Sequence, residues 1–196
     1  SGPRTAAILR EVQPDLVIGC GGYVSGPIVR AAAKKGIHTA IHEQNAFPGV
    51  TNKLLAKDVD VVLAASADAV EKLGAPDKTV VVGNPVRPEL LTQNRAAARA
   101  KIGAKDRTNE VGGALCGWEQ QTRQNVLHLH ATGSRGVQLF QDLAREHHFA
   151  PGESLVVKEY IDNMPELLAA ADLVIARSGA LTLAELEVMG RASILI

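Results

Sequence analysis

Residues 41–50, "IHEQNAFPGV", place four hydrogen-bonding side chains together at the predicted end of a strand. His42, Glu43, Gln44 and Asn45 follow an apolar run, and a Pro-Gly turn comes after them. Polar groups at the carboxyl edge of a parallel sheet face the region where α/β proteins bind their ligands. The same groups could instead satisfy an irregular loop and one another. The residue types leave both interpretations open.

Residues 19–27, "GCGGYVSGP", could bind an anion. The segment follows a predicted strand and leads into a predicted helix. Gly21 and Gly22 would let the backbone approach a phosphate at the helix N-terminus. A tight turn between strand and helix explains the glycine pair equally well, so phosphate binding is one of two interpretations.

Residues 177–185, "RSGALTLAE", repeat this arrangement in the second half of the chain. Backbone amides at the predicted helix start could bind a diphosphate, and Glu185 could accept hydrogen bonds from sugar hydroxyls. Thr182 and Glu185 also have the spacing of a capping box, which satisfies the first amides of a helix. On residue chemistry alone the capping box is the preferred interpretation.

Three further residues have candidate roles. Arg87, in "GNPVR", could pair with a phosphate or form a surface ion pair. His128 and His130 lie two residues apart, on one face of a predicted strand. Because no third ligand follows at a suitable spacing, we interpret them as core or surface histidines rather than metal ligands. We expect neither a metal nor a cofactor.

Composition excludes several classes of protein. The chain has 196 residues, and 46% of them are hydrophobic, which is enough for an ordinary core. Its 21 Lys and Arg equal its 21 Asp and Glu, so the basic excess of a nucleic-acid-binding protein is absent. Cys20 and Cys116 lie far apart, which predicts neither a disulfide framework nor a zinc site and favours a reducing cytoplasm. No apolar run approaches the roughly 20 residues that span a bilayer, although this leaves peripheral membrane contact open.

The first half of the chain alternates short β-branched runs with helical segments, a pattern typical of parallel βαβ units. In the first predicted helix, Ser25 could be the cap, Pro27 would lie in the first turn and Gly36 would end the helix. The predicted strands are 15–20, 37–42, 59–66 and 78–83, and the predicted helices are 25–36, 49–57 and 67–74.

Two prolines in residues 84–91 predict an extended bend, and we place a domain boundary there, with domains 1–87 and 88–196. Beyond the bend, 94–105 is predicted helical, whereas 105–124 has no clean period. The later predicted strands are 125–132, 154–160, 172–177 and the final "SILI", and the helices are 135–148, 164–171 and 180–190. The predicted fold class is therefore α/β, with two Rossmann-like domains, parallel sheets and an interdomain cleft.

Four segments, in order, resemble the MurG family of peptidoglycan N-acetylglucosaminyltransferases. They are "PDLVIGCGGYVSGPIVRAAAKKGI", "HEQNAFPGVTNKLLAK", "VVGNPVR" and "YIDNMPELLAAADLVIARSGALTLAELEVMG". The resemblance implies a GT-B glycosyltransferase that moves N-acetylglucosamine from UDP-N-acetylglucosamine to undecaprenyl-diphosphate-linked N-acetylmuramoyl-pentapeptide (lipid I). It also implies inversion at the anomeric carbon without a tightly bound metal, at the cytoplasmic face of the cell membrane.

The resemblance also implies roles for particular residues. The backbone of Ile161 would pair with uracil, and Glu185 would accept the ribose hydroxyls. The implied donor-binding residues are Asn45, Arg87, Ile161, Ala180, Leu181, Thr182, Leu183, Ala184 and Glu185. The implied acceptor-side residues are Gly21, Gly22, Tyr23, His42 and Glu43, with the glycines facing the acceptor diphosphate.

The sequence departs from the family pattern at three places. The glycine-rich loop that carries the family's proposed general base would precede Ser1, so we assign no catalytic residue. The second-domain "GGSQGA"-type loop is represented only by "VGGALCGWEQQ". A glutamine-containing donor segment would follow Ile196. We therefore expect both ends to be incomplete and this chain, alone, to have weak or no transferase activity.

Two alternatives stay open. A UDP-sugar epimerase shares the two-domain plan but would need acid and base groups and no lipid acceptor. A non-catalytic nucleotide-sugar-binding remnant would fit the altered segment 105–124. The expected partners are UDP-N-acetylglucosamine, lipid I and the inner-membrane surface, with no nucleic acid.

Overall fold

The structure is a computed structural model that describes residues 2–104, 108–112 and 125–196. The chain divides into two compact units, Ser1–Pro85 (unit 1) and Val86–Ile196 (unit 2). Within the described residues, none of the helices combines the length and the apolar character needed to cross a bilayer. The functional roles predicted for the domains 1–87 and 88–196 stay predictions.

Unit 1 is a four-stranded parallel sheet with helices between its strands. The strands are β1 (Leu16–Gly19), β2 (His38–Glu43), β3 (Val61–Ala64) and β4 (Thr79–Val81), and they lie in this order across the sheet. The helices are α1 (Gly2–Val12), α2 (Gly22–Lys34), α3 (Val50–Leu55) and α4 (Val70–Leu73), and 3-10 turns at Ala67–Ala69 and Pro76–Lys78 flank α4.

The core of unit 1 lies on one face of this sheet. Val29 of α2, Leu55 of α3 and Leu73 of α4 pack with Ile41 and Val62 of the central strands. This arrangement is expected because consecutive right-handed crossovers between strands in sequence order place every connection on the same face. Strand residues that alternate with these core residues lie on the other face, where Leu16, Ile18, Val61 and Val80 are exposed, whereas Ala40 and His42 of β2 are buried.

The start of α2 differs from the prediction. Gly21 is the N-cap and has a φ of 88°, a conformation that glycine adopts without strain, so the helix begins at Gly22. Ser25 lies inside the helix and its hydroxyl donates to the carbonyl of Gly22 at 2.9 Å, so its predicted capping role was wrong. Pro27 consequently lies in the second turn. The predicted end is confirmed, because Gly36 has a φ of 72° and follows the last helical residues.

Unit 2 contains a five-stranded parallel sheet in the order β7-β6-β5-β8-β9. Its strands are β5 (Thr108–Gly112), β6 (Val126–Ala131), β7 (Leu155–Lys158), β8 (Leu173–Ala176) and β9 (Ala192–Leu195). Its helices are α5 (Glu89–Thr92), α6 (Arg95–Lys101), α7 (Val137–Glu146), α8 (Met164–Ala170) and α9 (Ala180–Met189).

The strand order of unit 2 reverses at its centre. From β5 the chain continues outward to β6 and β7 on one side, and it then crosses to β8 and β9 on the other side. In doubly wound sheets the helices on the two sides diverge at such a point and leave a crevice at the carboxyl ends of the central strands. The topology of unit 2 alone therefore indicates where a ligand would bind.

Most predicted elements are present with slightly shorter bounds, but three were missed. The central strand β5 lies within the segment that showed no clean period, and residues 105–107 and 113–124 of that segment lie outside the described residues. The helix α1 had no predicted counterpart. A short helix, α5, follows the irregular backbone of residues 82–87, where only an extended bend was predicted.

Arginine side chains form hydrogen bonds and ion pairs at the C-terminal end of α8 in unit 2. Arg95 and Arg99 of α6 both pair with Asp172, the latter at 2.8 Å between Nη1 and Oδ2. Arg95 also donates to the carbonyl oxygen of Ala171 at 2.7 Å, and Arg191 donates to the same oxygen at 3.1 Å. Because the last carbonyls of a helix lack partners within it, these bonds satisfy the C-terminus of α8.

Candidate functional site

A cavity of about 590 Å³ lies at the carboxyl edge of the unit 2 sheet. Its wall includes the residues that directly follow β6, β8 and β9, together with residues of the first turns of α9. Buried apolar side chains, including Ile161, Leu168, Val174 and Leu186, form part of the lining. The polar and charged lining residues are Arg87, Thr132, Arg177, Thr182 and Glu185. The cavity thus combines apolar surface with a few convergent polar groups, which is typical of small-molecule sites.

The first turn of α9 borders this cavity through Thr182, and the helix has no side-chain cap. Gly179 is the N-cap residue and makes no side-chain capping bond, and the helix begins at Ala180. The amides of Leu181 and Thr182 have no acceptor within the helix because they belong to its first turn. Positive potential at this end of the helix favours an anion.

The capping-box interpretation was wrong. Thr182 is the third residue of α9 rather than its N-cap, and Glu185 is bonded elsewhere. The spacing matched a capping box, but the glycine before Ala180 takes the extended conformation of an N-cap, with φ −69° and ψ 140°. Thr182 and Glu185 therefore both line the cavity.

Arg87 and Glu185 form a two-bond ion pair within the cavity wall. Arg87 Nε donates to Oε1 of Glu185 at 2.9 Å, and Nη2 donates to Oε2 at 3.2 Å. The side chain of Glu185 is 16% exposed and that of Arg87 is 48% exposed. The hydrogen bonds to Glu185 raise the pKa of Arg87, against the opposing effect of burial.

The other predicted donor residues occupy different positions. Ile161 is buried and lines the cavity, whereas Leu181 and Leu183 lie on the exposed side of α9. Ala180 and Ala184 are partly buried in the same helix. Asn45 belongs to unit 1, where its side-chain amide donates to Glu43 at 3.1 Å. The donor-binding roles of these residues stay predictions.

Glu43 is a buried carboxylate at the end of β2, with only 1% of the residue exposed. It accepts four hydrogen bonds: from the backbone N–H and side-chain amide of Asn45, from the backbone N–H of Gly49 at 3.0 Å and from the Asn52 amide at 2.8 Å. Burial alone raises the pKa of Glu43, but these bonds outweigh it and lower the pKa below its ordinary value.

His42 and Gln44 extend this network. His42 Nε2 donates to the carbonyl oxygen of Gly83 at 3.1 Å, and its Nδ1 accepts from Gln44 Nε2 at 3.2 Å. Gln44 Nε2 also lies 3.2 Å from the carbonyl oxygen of Cys20, at the end of β1. The polar residues at 42–45 therefore satisfy the loop that follows β2, as the second sequence interpretation predicted. His42 and Glu43 are buried by these contacts, so their predicted acceptor-side role stays a prediction.

The predicted acceptor-side glycines form the turn before α2. Gly21 and Gly22 have φ angles of 88° and 74°, which side chains rarely adopt. Tyr23 projects outward and is 86% exposed. A second cavity, of about 550 Å³, is an apolar groove between α1 and α2 lined by Arg4, Thr5, Ile8, Tyr23, Val24, Pro27 and Ile28.

The two histidines of β6 lie in the core, which is one of the two positions predicted for them. His128 and His130 are buried, and their ring centroids are 5.7 Å apart. Burial, followed by the neighbouring His128, lowers the pKa of His130 to about 4. Within the described ranges, no three His, Cys, Asp or Glu side chains come together in a geometry that could hold a metal.

Arg177 and Thr132 were not identified from the sequence, although both line the unit 2 cavity. Each is the first residue after a parallel strand, Arg177 after β8 and Thr132 after β6. This position could have identified both residues from the sequence, because the first residue after each strand in a doubly wound sheet lies at the ligand-binding edge.

The strand order and the crevice define unit 2 as a doubly wound α/β domain. Family models assign both parts of the chain: the glycosyltransferase family 28 N-terminal domain matches residues 2–64, and the family 28 C-terminal domain matches residues 104–196. The chain belongs to glycosyltransferase family 28.

A curated relative from Desulforamulus reducens is 40% identical over 210 residues, which cover 96% of this chain and 55% of the relative. It is named UDP-N-acetylglucosamine–N-acetylmuramyl-(pentapeptide) pyrophosphoryl-undecaprenol N-acetylglucosamine transferase. The chain thus spans about half the length of the curated relatives it matches. The resemblance seen in the four sequence segments is confirmed.

Solved structures agree on the fold. The crystal structure of MurG from Acinetobacter baumannii is 28% identical, with a TM-score of 0.60 over 98% of this chain and 55% of that protein. UDP-GlcNAc 2-epimerase from Neisseria meningitidis, bound to UDP-GlcNAc, is 14% identical, with a TM-score of 0.63 over 96% of this chain and 60% of that protein. The second likeness concerns the fold alone. The predicted α/β, GT-B-like fold class is confirmed.

Proposed function

We propose that the chain is part of an inverting glycosyltransferase that transfers N-acetylglucosamine from UDP-N-acetylglucosamine to lipid I, forming lipid II for the bacterial cell wall. The relatives that share about 40% identity carry this activity in their names. The single structural observation that supports it is the cavity of unit 2, where an uncapped helix N-terminus, a carboxylate and an apolar lining meet.

A uridine diphosphate suits the chemistry of this cavity. The first amides of α9 and the guanidinium of Arg177 would bind the diphosphate. Glu185, one turn further along the helix, would accept hydrogen bonds from the ribose hydroxyls. The backbone at Ile161 would pair with uracil, whose flat ring would lie against the apolar lining.

The proposed donor site also has a catalytic consequence. When the sugar is transferred, negative charge develops on the departing diphosphate. Amides and a guanidinium that already point at the diphosphate stabilise that charge without rearranging, which lowers the barrier. In this mechanism the chain needs no metal, because helix amides and arginine provide the compensating positive potential.

The loop after β2 would serve the acceptor side of the same reaction in unit 1. Glu43 holds the loop 44–49 in one conformation, and the turn at Gly21 and Gly22 presents backbone amides at the start of α2. We infer that this turn faces the acceptor diphosphate and that the enzyme acts as a peripheral protein at the cytoplasmic face of the membrane. A lipid-linked acceptor would require contact with a membrane surface, because its prenyl chain stays within the bilayer.

Calorimetric titration of UDP-N-acetylglucosamine into the chain tests the donor site. We expect saturable binding that Glu185→Ala weakens at least about tenfold, the usual effect of losing hydrogen bonds to a charged group. Glu187→Ala is the matched control, because Glu187 lies two residues along the same helix and is exposed outside the cavity. Equal binding by the two variants, or no binding by the unaltered chain, would contradict the proposal.

Product analysis with the donor alone separates this proposal from the epimerase alternative. A transferase without acceptor leaves the N-acetylglucosamine configuration of the donor unchanged, apart from slow hydrolysis. Inversion at carbon 2 of the sugar would favour an epimerase, for which the present support is likeness of fold.

A further inference from the structure

We propose that Arg87 is a positioning residue: it orients the carboxylate of Glu185 toward the ribose and thereby makes the site selective for ribonucleotides over 2′-deoxyribonucleotides. This inference rests on the proposed binding of a uridine diphosphate in the unit 2 cavity. It assigns Arg87 a task different from the direct phosphate contact considered in the sequence.

The geometry of the pair is the first support. Two different nitrogens of Arg87 donate to the two different oxygens of Glu185, at 2.9 and 3.2 Å. Parallel bonds of this kind fix the plane of a carboxylate, whereas a single bond would let the carboxylate rotate about its last torsion. The Glu185 carboxylate is therefore held in one orientation before any ligand arrives.

The backbone of Arg87 is itself held in place. The N–H of Leu90 donates to the carbonyl oxygen of Arg87 at 3.0 Å, which begins the short helix α5. Leu90 is buried in the core of unit 2 together with Leu186 of α9. Arg87 and Glu185 thus project from segments that share one packed core, and their separation is fixed by that packing.

The unused bonding capacity of Glu185 points to a diol. Each carboxylate oxygen can accept two hydrogen bonds, and Arg87 occupies one position on each. Glu185 lines the cavity, so an acceptor position on each oxygen is available to a ligand there. Two acceptors on one fixed plane match the two neighbouring hydroxyls of a ribose, and loss of one hydroxyl would leave one acceptor unsatisfied.

The same pairing makes Arg87 a weak choice for the phosphate. Its positive charge is compensated by Glu185, and two of its N–H groups are already engaged. Arg177 offers a second guanidinium on the cavity wall, at the end of β8. A phosphate role for Arg177 would leave Arg87 free to act through Glu185.

The binding of two nucleotides and one nucleoside, measured with the same set of variants, tests the inference. UDP, 2′-deoxyUDP and uridine are titrated into the full chain, into Arg87→Met and into Arg145→Met. Arg145 is the matched control, because it forms an exposed ion pair with Asp142 on α7, outside the cavity. We expect the unaltered chain and the control to bind UDP roughly tenfold or more tightly than 2′-deoxyUDP.

In Arg87→Met we expect the UDP to 2′-deoxyUDP ratio to fall to about twofold, because the Glu185 carboxylate loses its fixed plane. The affinity for uridine should fall by a similar factor to the affinity for UDP, since the ribose contact does not depend on phosphate. Arg87→Met could instead weaken the binding of UDP while leaving the affinity for uridine and the UDP to 2′-deoxyUDP affinity ratio unchanged. Arg87 would then contact the phosphate, and the inference would be overturned. An unchanged affinity for all three ligands overturns it as well.

Arg87→Lys covers the case in which Arg87→Met fails to fold. Lysine keeps the charge that balances Glu185 but cannot form two parallel bonds, so we expect a folded protein with a reduced ratio. A Lys variant with the full ratio would overturn the inference. If the unaltered chain binds none of the three ligands, the proposed function fails and this inference fails with it, whereas binding without the Arg87 effect refutes the inference alone.

Discussion

At the scale of single residues, the carboxylate of Glu43 shows how a charge is kept inside this protein. Glu43 is almost fully buried, and an isolated carboxylate there would be strongly disfavoured. Four N–H donors from Asn45, Gly49 and Asn52 surround it and favour the ionised form. The loop 44–49 is therefore organised around one charge rather than around an apolar core.

We expect Glu43→Gln to destabilise the chain by about 3 kcal/mol, because an amide presents an N–H where the loop needs an acceptor and leaves buried donors unsatisfied. The folded pKa of Glu43 lies below its ordinary value, so its contribution is present above the unfolded pKa and disappears as pH falls through the folded pKa. Urea unfolding at pH 7 and at pH 3 should show a smaller difference between variant and parent at pH 3.

Glu71→Gln, on the exposed side of α4, is the control for this measurement and should change stability by less than about 0.5 kcal/mol at either pH. A Glu43 variant as stable as the parent at pH 7 would show that the loop does not depend on the carboxylate.

The sequence predicted this residue only in part. The cluster at 42–45 was recognisable because four polar groups follow an apolar strand, and both candidate interpretations were available. Choosing between them needed the positions of Gly49 and Asn52, which reach Glu43 only after the chain has turned. At Glu185 the spacing from Thr182 favoured a cap, because sequence spacing cannot show which residue takes the extended N-cap conformation.

At the scale of secondary structure, α6 and α8 are joined by charge. Asp172 follows α8 and pairs with Arg95 and Arg99 of α6, and these arginines also donate to the carbonyls of Ala170 and Ala171. Removing the carboxylate would leave two partly buried guanidinium groups that share no counter-charge. The ion pairs of Asp172 with Arg95 and Arg99 are therefore more than a surface contact, although all three side chains are partly exposed.

We expect Asp172→Asn to lower the free energy of unfolding of unit 2 by about 1–2 kcal/mol, after allowing for solvent screening of these partly exposed groups. Asp142→Asn is the matched control, because Asp142 pairs with Arg145 on the open surface of α7 and should cost less than about 0.5 kcal/mol. Guanidinium chloride unfolding should be avoided, since its salt would screen both pairs, and urea should be used instead. Equal losses of unfolding free energy in Asp172→Asn and Asp142→Asn would show that the ion pairs at the end of α8 stabilise unit 2 no more than an exposed ion pair does.

Helices and strands with a clear hydrophobic pattern were predictable from the sequence, whereas those that form only through contacts with other parts of the chain were not. The strands β2, β3 and β6 were predictable because each coincides with a short, strongly apolar run in the sequence. The strand β5, "TNEVG", has a polar first half and took its place through pairing with β6 and β8. Tertiary pairing of this kind overrides local propensity, which is why the centre of the sheet was missed.

At the scale of the whole chain, each unit has its own hydrophobic core. Ile41 and Val62 belong to the core of unit 1, and Leu127 and Val174 belong to that of unit 2. Chains with separate cores often unfold in more than one step, so a single free energy of unfolding does not describe them. The proposed donor site draws all its lining residues from unit 2.

We therefore expect UDP to stabilise unit 2 selectively. At a concentration of 100 times the Kd, ligand binding adds about 2.7 kcal/mol to the folded state that binds it. Hydrogen exchange should show slower exchange in β6, β8 and α9 and little change in β2 and β3. Glu185→Ala should abolish most of this protection at the same UDP concentration, and equal protection of both units would contradict the assignment of the site to unit 2.

The sequence indicated the two-unit plan because the prolines near residue 85 interrupt a regular alternation of strands and helices. It also indicated that ligand-binding residues would lie at strand ends. It could not supply the strand order of unit 2, because the same alternation is compatible with several orders. The reversal at β5, which creates the crevice, is visible only in the folded chain.

The one-sided covering of the unit 1 sheet has a practical consequence. Leu16, Ile18, Val61 and Val80 are exposed on the face opposite the core, and parallel sheets are seldom left open to water in this way. Such a surface makes the isolated chain prone to stick to itself, to plastic and to detergent micelles. We therefore expect dilute samples to suit the protein better than concentrated stocks.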